Sequence, residues 1–399
     1  MRAGRSLQIG GALALALLAV RVVASCVDLD SLGNGEPLDA GPSSEAGADA
    51  PAAVDPCAHA SLPPAPALDD SPGEELPPFE VAVDKFTLDP DVVRGHDLDG
   101  VCTCDSRPGT VGDGGPSCTS KVPTCDLDGG ADNALGTLGK STSVLDMAKV
   151  PNGLIATGQR TVLFQISRYN GRANDREVTV GAFLGEGIHT TGCDASVYDP
   201  AADVWSPGRC GEDTWTISPS SAVATPSAPR PIAVGAGHVT DFRLAVRFGN
   251  AVIIPFGTST NLTVSGASLT GQIVPLGADL QPRDPSRAPS PDERRLFRLE
   301  DGVIDGRVHT NDVLGALGAY VSFGAAVCTT PAFDGIKTSV CDSLDIRLTP
   351  APSPVSSEAC EALSGAVGVV GLPARAGMIT DASLPASPCD SATLLCPPR

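Results

Sequence analysis

The chain has 399 residues, and its 47 Asp and Glu residues against 27 Lys and Arg give a formal net charge of −20. This balance argues against binding to nucleic acid and against docking on an anionic membrane surface, because both need clustered Lys and Arg. The 42% of hydrophobic residues, in a chain of this length, suffices for a substantial buried core.

The first 26 residues have the pattern of an export signal. Arg2 and Arg5 precede an apolar run over 9–20, which is shorter than the roughly 20 residues of a membrane-spanning helix. The run leads to Val-Ala-Ser-Cys, which ends at Ser25 and Cys26 and resembles a lipobox, the signal of bacterial lipoproteins. The resemblance implies cleavage of residues 1–25 and a diacylglyceryl group on the Cys26 thiol. Ordinary secretion, with Cys26 as a plain cysteine, stays open as the alternative.

A lipidated Cys26 would make the membrane the first predicted partner of the chain, because two or more acyl chains anchor a protein stably. The familiar inner-membrane retention signal has Asp directly after the cysteine, whereas Val27 stands here and Asp28 follows it. This order favours the outer membrane or the cell surface.

Residues 26–78 have the composition of a spacer. Ala, Gly, Pro, Ser and acidic residues dominate over 31–78, and no Lys or Arg occurs between Arg21 and Lys85. Low hydrophobicity with one sign of charge gives too little apolar burial to offset the entropy lost on ordering. The sequence therefore predicts a disordered acidic stalk over 26–78, with Cys57 able to link it once to the body.

Cysteine usage agrees with export. Of 13 cysteines, twelve remain if Cys26 is lipidated, and an even number is what a disulfide framework requires. Spacing predicts two bridges among Cys102, Cys104, Cys118 and Cys125, one between Cys193 and Cys210, one between Cys328 and Cys341, and closure among Cys57, Cys360, Cys389 and Cys396. Zinc on the first group is the alternative, although its Cys-x-Cys spacing is shorter than zinc sites prefer.

The rest of the chain is predicted to be mainly β. The clearest strand is 242–248, where Phe, Leu, Val and Phe alternate with Arg243, Ala and Arg247. The strands Thr161–Tyr169 and Glu177–Leu184 flank a polar loop and predict a hairpin. Further predicted strands are 79–88, 213–217, 251–256, 261–264, 268–274 and 302–308, and predicted helices are 311–320 and 358–366.

Many short strands, Gly/Pro turns and few helices predict a β-sandwich of jelly-roll type, stapled by disulfides. The predicted sandwich body is 79–320, with a Cys-rich segment at 96–133, and a Cys-rich C-terminal cap follows over 321–399.

The segment 96–133 contains Asp-Leu-Asp-Gly twice, at 97–100 and at 126–129, each beside cysteines. The whole plan is similar to that of secreted, Cys-rich lipoproteins of myxobacteria, a group to which the resemblance assigns no activity. Closely spaced Asp residues before Gly supply the hard oxygen ligands of Ca²⁺ loops, and they resemble those of thrombospondin type 3 repeats. The candidate ligands of a structural Ca²⁺ are Asp97, Asp99, Asp126, Asp128, Asp132 and Asn133. The alternative is that Asp-Gly pairs only make turns.

The sequence contains no His-Glu-x-x-His and no Gly-x-Ser-x-Gly motif, so it nominates no catalytic residue. The function it predicts is a membrane-anchored extracytoplasmic module for binding, adhesion or envelope structure. Tyr198 and Trp205 lie in the loop between Cys193 and Cys210, and form a candidate contact surface for a carbohydrate or protein ligand. The alternative is that these rings pack under the disulfide-closed loop. The alternative is a secreted hydrolase acting on polysaccharide, which would need a carboxylate pair in a cleft.

Overall fold

The structure, a computed structural model, describes residues 57–70, 75–110, 114–141, 147–190, 193, 197–199, 204–225, 228–284, 296–322, 325–350, 355–380 and 386–397. The predicted signal peptide, Cys26 and residues 27–56 of the predicted stalk lie outside the described residues. All the elements given below belong to one contact unit, Ala53–Arg399.

The described part of the chain contains sixteen β-strands and four α-helices. The strands are β1 (Phe79–Thr87), β2 (Thr161–Ser167), β3 (Asp175–Thr190), β4 (Val197–Asp199), β5 (Val204–Ser206), β6 (Thr214–Ile217), β7 (Ala222–Val223), β8 (Arg230–Pro231), β9 (Ala233–Thr240), β10 (Arg243–Phe248), β11 (Val252–Pro255), β12 (Asn261–Leu276), β13 (Leu296–His309), β14 (Val321–Ser322), β15 (Ala325–Ala326) and β16 (Ala362–Ile379). The helices are α1 (Ala134–Ser141), α2 (Lys149–Ala156), α3 (Thr310–Gly318) and α4 (Ala332–Asp342).

Eight of these strands form a closed antiparallel barrel. The pairing runs β1-β2-β3-β9-β10-β12-β13-β16 and returns to β1. The prediction of a mainly β fold is confirmed, and the prediction of a jelly-roll sandwich is wrong. Alternation of apolar and polar residues reports that one face of a strand is buried, and that pattern is the same in a sandwich and in a barrel.

The barrel interior holds the main core. On β10, Leu244, Val246 and Phe248 are buried, whereas Arg243 and Arg247 are exposed, as the alternation predicts. The predicted hairpin is also confirmed, because β2 and β3 pair antiparallel over Thr161–Ser167. Buried side chains that fill the same core from other strands include Val81, Phe164, Val180, Leu262, Leu269, Phe297, Ile304 and Val369.

A second, smaller core lies on the opposite face of β1, β2 and β3. There, Ala82, Leu163 and Phe183 pack with Trp215 and Ile217 of β6. Strand β6 pairs with both β3 and β16, so it covers this part of the barrel from the other side. Since both faces are covered, these strands have continuous rather than alternating apolar runs.

The structure corrects the predicted helix over 358–366. Residues 362–379 form β16, an 18-residue strand that pairs with β1 on one side and β13 on the other. Ser357 and Glu358 have the signature of a helix N-terminus, but the backbone groups that follow find partners on two neighbouring strands. The predicted helix over 311–320 is confirmed as α3, while α1, α2 and α4 were not predicted.

The position of β16 also removes the predicted division at residue 320. The proposed C-terminal cap, 321–399, contains a strand without which the barrel does not close. Among the described elements of this segment, β14, β15 and α4 are not part of the barrel wall.

The predicted stalk ends earlier than residue 78. Residues 57–70 and 75–78 are described, and their backbone is bonded to the body. The amide of Ala60 donates to the carbonyl of Gly129 at 2.7 Å, and the amide of Leu76 donates to Tyr169 at 2.8 Å. The Pro63 carbonyl lies 2.9 Å from Nε2 of His238. Polar composition predicted disorder here, but backbone hydrogen bonds and one disulfide order a segment regardless of its hydrophobicity.

All twelve cysteines after Cys26 pair with one another. The bridges are Cys57–Cys102, Cys104–Cys125, Cys118–Cys360, Cys193–Cys210, Cys328–Cys389 and Cys341–Cys396. The predicted framework and the Cys193–Cys210 pair are confirmed. The predicted Cys328–Cys341 pair is wrong, and so are two bridges within 102–125 and the zinc alternative, because Cys102 and Cys118 pair with distant partners. Proximity in sequence does not report which cysteines the barrel brings together.

Six disulfides indicate an oxidising, extracytoplasmic environment. Within the part of the chain that the structure describes, no helix has the length and apolar character needed to cross a membrane.

Candidate functional site

The two Asp-Leu-Asp-Gly segments lie side by side, held by two disulfides. Cys102, bridged to Cys57, follows the first segment by two residues, and Cys125, bridged to Cys104, directly precedes the second. Ala60 lies between the segments, because its amide donates to Gly129 and its carbonyl accepts from the amide of Asp97, both at 2.7 Å. The ordered part of the predicted stalk therefore builds this site.

Each segment makes a tight turn, as the simpler of the two interpretations predicts. Oδ1 of Asp97 accepts the amide of Gly100 at 2.6 Å, and Oδ1 of Asp99 accepts the amide of Val101 at 3.0 Å. Gly100 has a φ of 78°, in the left-handed region that glycine adopts readily. At Gly130, φ is 73° and a Cβ would lie 2.5 Å from Sγ of Cys102, so only glycine fits beside the disulfide.

The turns bring three carboxylates together. One oxygen each of Asp97, Asp99 and Asp132 lies within 4.8 Å of the other two. Asp132 is 2% exposed, and its Oδ2 accepts the amide of Leu98 at 2.6 Å. Oxygen ligands at this separation suit a hard divalent cation such as Ca²⁺. The chemistry of these residues fits the predicted ion, and structural Ca²⁺ stays a prediction.

The other three predicted ligands are not among these three carboxylates. Asp126 is a neighbour of the three carboxylates, and its Oδ2 accepts the amide of Thr103 at 2.6 Å. Asp128 is exposed and pairs with Arg94 at 3.2 Å. Asn133 is buried at the start of α1, where its Oδ1 accepts the amides of Gly136 at 2.9 Å and Ala366 at 3.0 Å. Asn133 therefore acts as a helix N-cap, which corrects its assignment as a ligand.

Burial and mutual repulsion keep protons on this cluster. Burial raises the pKa of Asp99 to about 6 and that of Asp126 to about 8. Burial, reinforced by the charges of Asp99 and Asp126, raises the pKa of Asp132 well above its ordinary value. Near neutral pH these carboxyls either share protons or balance a cation.

The guanidinium of Arg307, on β13, faces the cluster from the barrel wall. It is 6% exposed, donates to the carbonyl of Leu98, and is attracted to Asp132 and Asp99. Burial lowers the pKa of its guanidinium, and one buried cation does not neutralise several buried carboxylates.

Two more acidic residues join this region from far along the chain. Both oxygens of Asp345 accept hydrogen bonds from Ser364 on β16, and burial raises the pKa of Asp345 to about 7. Asp305, on β13, is fully buried and accepts from Ser268 while it contacts Nδ1 of His96. No local pattern in the sequence signals Asp345 or Asp305, since their role depends on strand register.

A cavity of about 600 Å³ lies between α2, the residues 256–260 and the end of α3. We call residues 256–260 the cavity loop. The lining consists of apolar, hydroxyl-bearing and amide side chains together with one lysine: Met147, Lys149, Val150, Gly153, Leu154, Thr157, Gln159, Phe256, Gly257, Thr258, Ser259, Thr260, Ala316, Leu317, Ala319, Tyr320 and Val321. No local pattern in the sequence signals this cavity, because its walls come from three distant segments.

The candidate contact surface lies partly outside what the structure describes. Strands β4 and β5 pair, with Tyr198 opposite Trp205, within the loop closed by Cys193–Cys210. The side chains of Tyr198 and Trp205 lie outside the described residues. Their role in binding stays a prediction.

The hydrolase alternative needs a carboxylate pair in a cleft with an aromatic ring on its wall. A cavity of about 600 Å³ next to Asp126 is also lined by Asp105 and Asp128, and no aromatic residue is among its described lining residues. Oγ of Ser265 lies 2.8 Å from Nε2 of His309, but no carboxylate is among the described hydrogen-bond partners of His309.

Comparison with protein-family models, curated proteins and solved structures finds no match to this chain. The functional interpretation therefore rests on the geometry and the sequence of the chain itself.

Proposed function

We propose that this chain is a lipid-anchored extracytoplasmic binding module. Its mature N-terminus is Cys26, its acyl chains lie in the outer membrane, and the disulfide-stapled barrel is displayed on the residues that follow. The observation that carries this proposal is the complete pairing of the other twelve cysteines. Of the thirteen cysteines, Cys26 is the one outside these six bridges, and it follows the apolar run over 9–20.

The pairing supports lipidation over plain secretion on chemical grounds. A plain Cys26 would be an odd thiol in an oxidising compartment, where an exposed thiol forms mixed or intermolecular disulfides. A thioether to a diacylglyceryl group removes that reactivity. Residues 27–56 contain no Lys or Arg, so they do not draw the body onto an anionic membrane surface.

The test is the intact mass of the membrane-extracted full chain, alkylated without reduction. The expected mass begins at Cys26, carries two or three acyl chains and shows no alkylated thiol. A mass that begins at or near Cys26 without lipid would overturn the anchor. The Cys26→Ala variant is the matched control, because it keeps all six disulfides and is expected to leave the membrane fraction. Retention of that variant in the membrane would contradict the proposal as well.

A further inference from the structure

We propose that the cavity between α2, the cavity loop and α3 binds a small amphipathic monoanion, an alkyl chain that ends in a carboxylate. This inference deepens the proposed binding function and rests on it only in treating the barrel as a binding module. The lipid anchor is a separate claim, and its test by mass does not involve the cavity.

The size and apolar lining of the cavity define the body of the ligand. A volume of about 600 Å³ falls within the range of sites for small molecules. Met147, Leu154, Phe256 and Leu317 line it, and each is less than 10% exposed. These side chains present carbon to the cavity from the core side, so the inner part favours an alkyl group.

The rim of the cavity adds exposed apolar surface. Tyr320 and Val321, which follow α3, are 46% and 63% exposed, and both line the cavity. They are consecutive large apolar residues that no described part of the chain covers. An apolar rim around a concave site is typical of ligand entry.

The head group follows from the charge of the lining. Among the described residues that line the cavity, Lys149 is the one that carries a charge, in a chain with a net charge of −20. None of the described ion pairs includes Lys149, and the first turn of α2 has no acidic residue. Lys149 is the first residue of α2, so the positive end of the helix lies at the same place. A carboxylate that pairs with Lys149, on a ligand whose alkyl chain enters the cavity, would match both the charge at the start of α2 and the apolar inner lining.

The cavity loop is held in place by a buried guanidinium. Arg160 is 4% exposed, and its Nη1 donates to the carbonyls of Gly257 at 2.5 Å and Thr260 at 3.2 Å. Its Nη2 donates to Asn261 at 2.8 Å and pairs with Glu186 at 3.2 Å. Because the cavity loop is fixed before a ligand arrives, binding does not have to order it.

Two glycines allow a matched test of the cavity. A Cβ added to Gly153, in α2, would have no heavy atom within 4 Å, so a large side chain there extends into the cavity without a clash at its base. Gly335, in α4, is equally open and does not line the cavity. Gly153→Trp is therefore the blocking variant and Gly335→Trp is its control.

The experiment is isothermal titration calorimetry of octanoate, hexanoate and 1-octanol into the full chain with Cys26→Ser, which removes the lipidated thiol. Octanoate is expected to bind about 16-fold more tightly than hexanoate, because each buried methylene contributes about fourfold. It is expected to bind about fivefold more tightly than 1-octanol, the range of an exposed ion pair. Lys149→Met is expected to lower octanoate affinity to that of 1-octanol.

Gly153→Trp is expected to abolish binding of all three probes, while Gly335→Trp leaves their affinities unchanged. Failure of the unblocked chain to bind octanoate would overturn the proposal, and so would octanoate binding that survives Gly153→Trp. Equal affinity of the unblocked chain for octanoate and 1-octanol would overturn the assignment of the anion. None of these results bears on the intact mass, so failure of the cavity proposal and failure of the anchor are distinguishable.

Discussion

Replacing Asp345 by Asn is expected to make the barrel more resistant to unfolding at alkaline pH. The ordinary pKa of this carboxyl is 3.8, and burial raises it to about 7 in the folded chain. Above pH 4 the unfolded chain releases the proton while the folded chain keeps it, so the folded state binds more protons. Stability that this group contributes is complete below about pH 4 and is lost as the pH rises toward 7.

The magnitude follows from the two pKa values. A difference of about three pH units, at about 1.4 kcal/mol per unit, gives about 4 kcal/mol over the whole titration. Between pH 5 and pH 8.5 the contribution of Asp345 to the free energy of unfolding falls by about 3 kcal/mol. This value is an upper bound, because Asp345 is partly exposed. An Asn side chain can keep a hydrogen bond with Ser364 and has no proton to release.

The assay is urea unfolding at pH 5 and pH 8.5, with EDTA present and the disulfides intact. Between pH 5 and pH 8.5, the free energy of unfolding of Asp345→Asn is expected to fall by about 3 kcal/mol less than that of the unchanged chain. Asp342→Asn is the control, because Asp342 lies three positions earlier and pairs with Lys121 at the surface. A pH dependence identical in Asp345→Asn and in the unchanged chain would refute the reasoning.

Three further predictions concern the same body. Calcium at about 100 times its dissociation constant is expected to raise Tm by about 4 °C. Asp132→Asn should lose this shift, while exposed Asp128→Asn keeps it. A Tm insensitive to both Ca²⁺ and chelator would contradict the predicted ion. Joint replacement of Cys193 and Cys210 by Ala is expected to lower the free energy of unfolding in urea by about 3 kcal/mol, since the bridge closes a 17-residue separation. An unchanged free energy of unfolding would contradict the idea that this bridge stabilises the fold by restricting the unfolded chain. Arg160→Met is expected to lower the free energy of unfolding by about 3 kcal/mol and to weaken octanoate binding, because the carbonyls of the cavity loop lose their donor. Unchanged octanoate affinity would contradict the role given to the Arg160 side chain.

Several features of this protein follow from local sequence. The β character of 161–184 and 243–248 is visible because alternation along a strand reports which face is buried. The turns at Asp97–Gly100 are visible because Asp and Gly favour that backbone geometry within four residues. The even count of cysteines after Cys26 predicts complete pairing without regard to the fold.

Other features depend on residues that the sequence separates widely. Cys118 pairs with Cys360 across 242 positions, and a helical N-terminus signal at 357–358 is followed by the strand that closes the barrel. In both cases the local pattern is compatible with more than one outcome, and long-range partners select among them.

Local sequence predicts an export signal, and it suffices to establish a predominantly β body, the pairing of the cysteines after Cys26 and two acidic turns. The folded chain is needed to see that the sheet closes into a barrel, that Asp132 joins Asp97 and Asp99, and that Lys149 lines a cavity. This difference comes from the range of the interactions. Turns, alternation and charge are properties of neighbouring residues, whereas closure, disulfide partners, burial of carboxylates and cavities arise from strand register and packing between distant segments.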